Sequence, residues 1–378
     1  MKKQKICIIG DGLAGLTSTF ALKNLNIDID FYCKKEKGRK KDDIRATAIS
    51  DLNLEFLQKI INFKNSKLFW SCKNIDLFYE NKKKIKKFLN LDNQEKSLMH
   101  IFENKKFKDY LKKNIKSKHI KIISKEISAI DAEDGSITIN KKKHYYDLVI
   151  LCVGKNSNFY TNLLCSRTIN KDYNEISITG NVAHNLKINH SSQYFLKEGP
   201  LAILPYKKKN FSLVWSLNKI FFQEKKDNLK KFIESKLNFL FKKKNNFSIL
   251  NLQFHPIHLS LRKNYHKNNF VILGEGLHSI HPIAGQGFNL IIRDIKKLFE
   301  ELENNLNLGL PIKNSLILKN FYDIRKPENI LISLGIDFTN TFFKKNKLLD
   351  PFKNLLLEQV NNNNIKKFSK IISDRGLY

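Results

Sequence analysis

The sequence predicts an α/β fold: a Rossmann-like nucleotide-binding domain, an antiparallel α+β insert and a helical C-terminal region. Three observations carry this. A short apolar strand, Lys5-Ile6-Cys7-Ile8-Ile9, runs directly into Gly10-Asp11-Gly12-Leu13-Ala14-Gly15, and an apolar pattern of helical period follows. A second glycine-rich turn near the other end of the chain runs from Gly274-Glu275-Gly276 through Pro282 to Gly285-Gln286-Gly287, and again opens a helix. Between them, residues 170–260 change texture to strand-like runs joined by polar turns. A chain of 378 residues has room for two cores, and 42% hydrophobic content supports packing rather than disorder.

The elements follow in order. After the first strand, Leu13, Leu16, Thr17, Phe20 and Ala21 recur at helical spacing, and Ile27–Tyr32 alternates as a second strand. Ser50 is placed to cap a helix whose one face carries Leu54, Leu57, Ile60 and Ile61. Residues 66–90 hold short strand-like pieces, and 99–117 read as a basic helix. Residues 119–151 alternate strand signals with polar turns such as Asp134-Gly135 and end in the apolar run Leu148 to Cys152. Ile176–Ile178, Ala202–Leu204 and Phe211–Trp215 read as strands, with a helix near 226–242. Residues 288–304 form an amphipathic helix through Leu290, Ile291, Ile295, Leu298 and Leu302. Residues 315–378 read as helices separated by Lys/Asn-rich breaks. The expected division is a discontinuous nucleotide-binding domain (1–70, 96–168 and 262–305), an inserted substrate domain (71–95 and 169–261) and a helical region (306–378).

The formal net charge is +32 and the pI about 9.8, but only seven of the 68 basic residues are Arg. The lysines come in short scattered runs such as Lys82-Lys83-Lys84 and Lys207-Lys208-Lys209. Nucleic-acid sites favour Arg forks and basic faces interleaved with aromatics, so no nucleic-acid partner is expected. Compositional drift and attraction to an anionic membrane surface both remain open. The five cysteines are scattered without metal-type spacing and read as buried thiols in a reducing compartment. No apolar run reaches a membrane-spanning length. Met1-Lys2-Lys3 followed by Ile6–Ile9 mimics a signal peptide but runs into a glycine turn, so the expected location is cytoplasmic, at most peripheral on the inner membrane face. His255-x-x-His258 and His278-x-x-His281 lack a third ligand, and no metal is expected.

The chemistry lies in the two turns. Glycines in G-x-G-x-x-G allow a tight bend and close approach of the backbone to a pyrophosphate seated on the helix N-terminus. Gly274-Glu275 offers an acid to a polyol chain, and Gly285-Gln286-Gly287 aims backbone N–H groups from a helix start, where a developing negative charge is stabilised. Together they read as two halves of a flavin site. An acid that would hold the adenosine ribose is expected after the second strand, and Cys33 stands there. Asp30 and Glu36 are the nearby carboxylates.

With these residues set out, the chain resembles the flavin-dependent aromatic hydroxylases, and among them the ubiquinone-biosynthesis hydroxylases that act on a polyprenylated phenol. Four segments carry the resemblance: Gly10–Gly15; Asp43-Ile44-Arg45-Ala46-Thr47-Ala48-Ile49-Ser50; Gly199–Pro205 with Ser212-Leu213-Val214-Trp215; and Gly274–Asp294. Tyr322-x-x-Arg325 matches the tail helix. The resemblance implies FAD as cofactor, NAD(P)H as transient reductant, O2 as co-substrate and ring hydroxylation of a polyprenyl phenol or quinol through a C4a-hydroperoxyflavin. It implies flavin contacts from Gly10, Gly12, Gly15, Arg45, Gly274, Glu275, Pro282, Gly285, Gln286, Gly287 and Asn289, with His281 and Pro282 in the active-site wall. A quinone-biosynthesis complex is an implied partner.

The sequence departs from that pattern at Cys33, at Val153 and Tyr160 (where the family has an acid and an Arg), at Glu275 for Asp, and at Gly276-Leu277 for Ala-Ala. These departures keep two alternatives open: a non-catalytic paralogue that scaffolds a quinone-biosynthesis complex, and a related flavin oxidoreductase acting on another apolar substrate.

Overall fold

The computed structural model describes residues 3–34, 43–63, 66–81, 84–155, 157–160, 168–242, 246–313 and 315–344. A six-stranded sheet has the order β18 (His266–Lys267), β19 (Phe270–Ile272), β12 (Leu148–Leu151), β1 (Lys5–Ile9), β2 (Asp28–Tyr32), β8 (Ile120–Ile123), all parallel except β18. Ile6, Cys7, Ile8, Val149, Ile150 and Val271 have no exposed surface. The sheet is buried on both faces, which is why these strands are continuous apolar runs rather than alternating ones. Helix α1 (Leu13–Leu22) follows β1 directly, and α3 (Asn104–Asn114) packs against it. A three-stranded antiparallel ribbon, β9 (Ala129–Asp131), β10 (Ser136–Ile139) and β11 (Lys142–Tyr145), precedes β12.

The second large sheet has eight strands in the order β20 (His278–Ser279), β17 (Ser248–Arg262), β13 (Thr168–Ala183), β16 (Asn210–Asn218), β15 (Gly199–Lys207), β14 (Ser191–Leu196), β5 (Asn74–Asn81), β6 (Lys84–Asp92). Pairing is antiparallel except between β14 and β5. Helices α4 (Lys219–Lys225) and α5 (Leu229–Phe241) close its outer face. There the Phe232 ring stacks on fully buried Trp215 at 5.2 Å, within a core that includes Leu213, Leu217, Ile233 and Leu237. The strand and helix expectations for 170–260 match these elements.

One expectation is corrected. The stretch read as a helix over 99–117 begins as strand β7 (Met99–Glu103), and the helix opens only at Asn104. Strand β7 sits between β3 (Ala46–Ser50) and β4 (Trp70–Cys72), so Ile101 faces both Ala48 and Trp70. Burial of Ile101 and Phe102 in that pairing outweighs the basic helical period that continues into α3. In the described part of the C-terminal region a single helix, α7 (Ser315–Phe343), runs unbroken through Pro327, and the Lys/Asn-rich breaks expected after it lie outside the described residues. Packing against α6 (Gln286–Asn307) holds it through the proline. Residues 345–378 lie outside the described residues, as does Cys165.

Ser50 caps α2 (Asp51–Ile61) as expected, its hydroxyl accepting from the Asn53 backbone N–H at 3.4 Å. Leu54, Leu57, Ile60 and Ile61 form its buried face.

Candidate functional site

A cavity of about 2700 Å³ lies where the carboxyl ends of β1, β2 and β12 meet the inner face of the eight-stranded sheet. In an open parallel sheet this is the side on which ligands are held.

Its first wall is the turn after β1. Gly10 adopts φ +118°, and a Cβ there would stand 2.3 Å from the Cys152 carbonyl oxygen. Gly12 lines the cavity, and a Cβ built on it meets no atom within 4 Å. The bare backbone there faces open space at the N-terminus of α1, a cradle of the kind a pyrophosphate needs. Gly15 lies behind the wall. Its missing Cβ would fall 1.8 Å from the Gly10 carbonyl oxygen, so it serves close packing of helix on turn.

Cys33 and Lys34 line the cavity just beyond β2. Burial raises the Cys33 thiol to about 11, so the residue is neutral where an acid was expected. Asp30 does not substitute for it. Asp30 is buried below the sheet end, accepts a hydrogen bond from Tyr146 Oη at 2.8 Å and pairs with Lys5 Nζ at 2.7 Å. Glu36 lies outside the described residues.

The second wall contains Arg45, Glu275, Pro282, Gly285, Gln286 and Gly287, all of which line the cavity. Arg45 is held by a two-pronged pair with Asp43, Nε to Oδ1 and Nη2 to Oδ2, both at 2.8 Å. Burial would raise the Asp43 carboxyl, but hydrogen bonds and charge from Arg45 hold it below the usual range. Gly285, at φ +63°, caps α6, whose N-terminus thereby faces the cavity. Gly274 and Asn289 do not line it. Gly274, at φ +83°, brings the two glycine turns together, its Cβ position lying 2.9 Å from the Ala14 methyl. The Asn289 amide is fully used within the protein. Its Oδ1 accepts from Ser50 N and Asn53 Nδ2 at 2.9 and 2.7 Å, and its Nδ2 donates to the Ala48 and Gly285 carbonyls at 3.0 and 3.1 Å. Asn289 thus ties β3, α2 and the second glycine turn into one rigid floor.

The third wall is the sheet. Ser177, Thr179, Gln193 and His255 supply polar groups, while Leu77, Leu91, Phe195, Leu204, Ile332 and Ile336 form an apolar arm between the sheet and α7. His281 and Pro282 stand where this wall meets the second.

Three arrangements escape the sequence. His278 Nε2 is 2.6 Å from Asp294 Oδ2, and Arg325 Nε donates to Asp294 Oδ1 at 2.7 Å. Burial alone would raise the Asp294 carboxyl; Arg325 and His278 hold it low. His281 Nε2 is 2.8 Å from Glu175 Oε2, so its partner comes from β13. Glu175 was signalled only as an acid beside the apolar alternation Ile176-Ser177-Ile178. Finally, Tyr160 and Gly276 belong together. A Cβ on Gly276 would lie 1.9 Å from Tyr160 Oη, and the Arg262 guanidinium covers the Tyr160 ring at 4.2 Å while donating to the Gly276 carbonyl at 2.5 Å. Two departures of the sequence are therefore one packed unit. Gly276→Ala is expected to cost about 1–3 kcal/mol by overpacking, most of it returned in the double variant with Tyr160→Leu. Urea unfolding of the four proteins measures this, and strictly additive losses would show the positions to be independent.

These residues fit a flavin dinucleotide at the pyrophosphate and at the helix N-terminus of α6; among the described residues, Cys33 holds the ribose position in place of an acid. No protein-family model matches the chain. It is 26% identical over 223 residues to a mitochondrial ubiquinone biosynthesis monooxygenase of Dictyostelium discoideum, covering 47% of this chain and 45% of that protein. It is 26% identical over 162 residues to the 3-demethoxyubiquinol 3-hydroxylase of Escherichia coli K12, covering 41% and 40%. The match thus spans less than half the length of either relative. Among solved structures, p-nitrophenol 4-monooxygenase from Pseudomonas putida DLL-E4 superposes with a TM-score of 0.79 at 12% identity, over 100% of this chain and 99% of that one. A 2-methyl-3-hydroxypyridine-5-carboxylic acid oxygenase superposes with a TM-score of 0.69 at 15% identity, over 92% and 94%. The fold is that of the FAD-dependent aromatic hydroxylases, with sequence relatives that are ubiquinone-biosynthesis monooxygenases.

Proposed function

We propose that this chain is an FAD-dependent monooxygenase that hydroxylates the ring of a polyprenylated phenol or quinol in ubiquinone synthesis, with NAD(P)H as transient reductant and O2 as co-substrate. The observation that carries this is the single cavity shared by two glycine-rich helix N-termini, Arg45 and Glu275 on one side and a half-polar, half-apolar sheet wall on the other. When bound, FAD would supply the oxygen-activating chemistry. Gly10 and Gly12 would admit its pyrophosphate, Glu275 would meet the ribityl hydroxyls, and the N–H groups at Gly285–Gly287 would stabilise negative charge on the reduced ring. Ser177, Thr179 and Gln193 would orient a phenolic head, and the arm along α7 would exclude water around a prenyl chain. The division into a flavin domain (1–70, 96–168, 262–305), a substrate domain (71–95, 169–261) and a helical region (306–378) belongs to the same proposal.

No helix among the described residues is long and apolar enough to cross a membrane. Leu331 and Phe338 line the cavity yet are 53% and 69% exposed, beside Leu334 on the same face of α7. With the net charge of +32, this apolar rim supports a peripheral seat on an anionic bilayer, where a lipid-dissolved substrate would meet the cavity directly.

The test is the visible spectrum of purified protein after FAD addition and desalting, followed by NAD(P)H oxidation with and without a phenolic lipid analogue. Retained flavin, stimulation by the phenol and co-sedimentation with anionic but not neutral vesicles are the expected results. A second reading, a non-catalytic scaffold for a quinone-biosynthesis complex, is supported by the neutral Cys33 and the engaged Asp30. A folded protein that holds no flavin at high FAD would establish that reading and end the first.

A further inference from the structure

The acid missing from the end of β2 has a counterpart one strand away. Strands β2 and β8 run parallel with Tyr32 opposite Ile123, and the Cys33 N–H donates to the Ile123 carbonyl at 3.0 Å. The chain leaving β8 therefore passes beside Cys33 and Lys34, and Ser124, Lys125 and Glu126 line the cavity with them. Two anchors fix that segment. Ile127 is buried in the main core, and Ser128 is tied to β10, its N–H and its hydroxyl donating to the Thr138 carbonyl at 2.9 and 3.1 Å. With Ile127 turned into the core, its neighbours Glu126 and Ser128 are exposed, and both line the cavity.

The carboxylates of the cavity are unequally occupied. Among the described residues Asp11, Asp43, Glu126 and Glu275 line it. Asp11 lies between Lys108 and Lys112, at 3.8 and 3.5 Å, and Asp43 is taken by Arg45. Glu275 stands in the second wall, beside the other glycine turn. Glu126 has no hydrogen bond or ion pair among the described residues. A ribose diol needs acceptors, because its two hydroxyls lose water when a nucleotide is held. Lys34 and Lys125 can only donate, the Cys33 thiol is neutral, and the Ser128 hydroxyl is spent on Thr138. Ser124 and Asn140, also at this rim, are neutral. A carboxylate accepts from both hydroxyls at once, and its charge strengthens each bond.

We propose that Glu126 accepts the adenosine ribose hydroxyls of the flavin dinucleotide, so that the turn after β8 supplies the acid that the second strand lacks. This rests on the flavin reading above and names a residue that completes its site. The end of β2 by itself offers a neutral thiol; its parallel pairing with β8 brings a carboxylate to the same rim. A cavity so equipped needs no acid at Cys33 to hold FAD.

The test is a titration of the full chain, after removal of any flavin, read by flavin fluorescence with three probes. These are FAD, its 2′,3′-dideoxyadenosine analogue, and FMN, which has no adenosine. Wild type is expected to bind FAD about tenfold or more tightly than the dideoxy analogue. Glu126→Gln is expected to weaken FAD binding by about tenfold or more, and to leave the dideoxy analogue and FMN within about threefold of wild type. Such coupling between one side chain and the two hydroxyls is not produced by a merely structural role. Because Glu126 is exposed, its variant should melt like wild type. Cys33→Glu on the Glu126→Gln background returns an acid to the second strand and is expected to recover most of the lost FAD affinity. The proposal is overturned if wild type binds FAD and the dideoxy analogue alike, or if Glu126→Gln weakens neither or both equally. It is also overturned if the coupling appears in Glu36→Gln instead, or if a folded double variant recovers nothing. Failure of the flavin reading is distinct: folded wild type would then bind none of the three probes.

Discussion

Arg325→Met is expected to lower unfolding free energy by about 3–5 kcal/mol, the usual cost of leaving buried charge uncompensated. Arg325 is 3% exposed. Its Nε donates to Asp294 Oδ1 at 2.7 Å, its Nη2 to Asn329 Oδ1 at 2.8 Å and its Nη1 to Glu328. Arg293 Nη1 donates to Glu328 Oε1 at 3.2 Å. Without Arg325, Asp294 keeps, among the described residues, His278 at 2.6 Å and the Asn329 amide at 3.0 Å. The Met side chain fills volume, so the loss reports charge rather than a cavity. Because the Asp294 carboxyl is held low in the folded state, its contribution is present above the unfolded carboxylate pKa and is lost as pH falls through the folded value. Arg325→Met should therefore lose most of its deficit in acid, and Asp294→Asn on the Arg325→Met background should recover stability at neutral pH. Urea midpoints with an unchanged slope, taken at neutral and acid pH, measure both effects. A loss below about 1 kcal/mol would mean that water already reaches the network.

That network also marks the limit of what the residues could say in one dimension. Tyr322-x-x-Arg325 pointed to the tail helix, and Asp294 closed the segment that begins at Gly274. Nothing in their spacing said that they meet, because 31 residues and a change of helix separate Asp294 from Arg325. The same holds for Glu175 and His281, which are 106 residues apart. Contacts that share a period were legible. The burial of β1 and β12, the Ser50 cap and the apolar face of α6 follow from local pattern alone. Strand β7 was missed because its burial comes from two partner strands remote in sequence, while the lysines of α3 dominate the local reading.

The glycines show how far a motif carries. Gly10, Gly12 and Gly15 were assigned to cofactor contact, yet only the first two line the cavity. Gly15 serves the joint between helix and turn, and Asn289 serves the floor beneath the second turn. In both cases the spacing is needed for the site to exist, and the side chain or its absence works one layer behind the ligand. Val153 and Gly154 line the cavity without an acid between them, whereas Tyr160 and Gly276 have become a packing pair. The departures are thus unequal: Cys33 and Val153 alter what the cavity offers, and Tyr160 alters what holds its wall.

Gly12 and Gly15 separate these two roles in one experiment. Gly12 has φ −75° and ψ 178°, an extended backbone that any residue adopts, and a Cβ there touches nothing within 4 Å. Gly12→Val should therefore fold with wild-type stability to within about 1 kcal/mol. Its branched side chain would occupy the space in which a pyrophosphate approaches the N–H groups that open α1. Losing one or two charge-assisted hydrogen bonds, at about 1.5–3 kcal/mol each, should weaken FAD binding by roughly a hundredfold or more. Gly15→Ala should do the opposite. Its Cβ would stand 1.8 Å from the Gly10 carbonyl oxygen and 3.4 Å from the Cys152 Cβ, and a backbone oxygen wedged between β1 and α1 has nowhere to move. A cost above about 3 kcal/mol is expected, with flavin binding lost only because the fold is lost. Thermal melts by circular dichroism and FAD titration by flavin fluorescence read the two quantities separately. If Gly12→Val binds FAD like wild type while remaining folded, the phosphates do not sit on this turn. The cavity would then have to be filled from its sheet side, by a ligand that needs neither glycine.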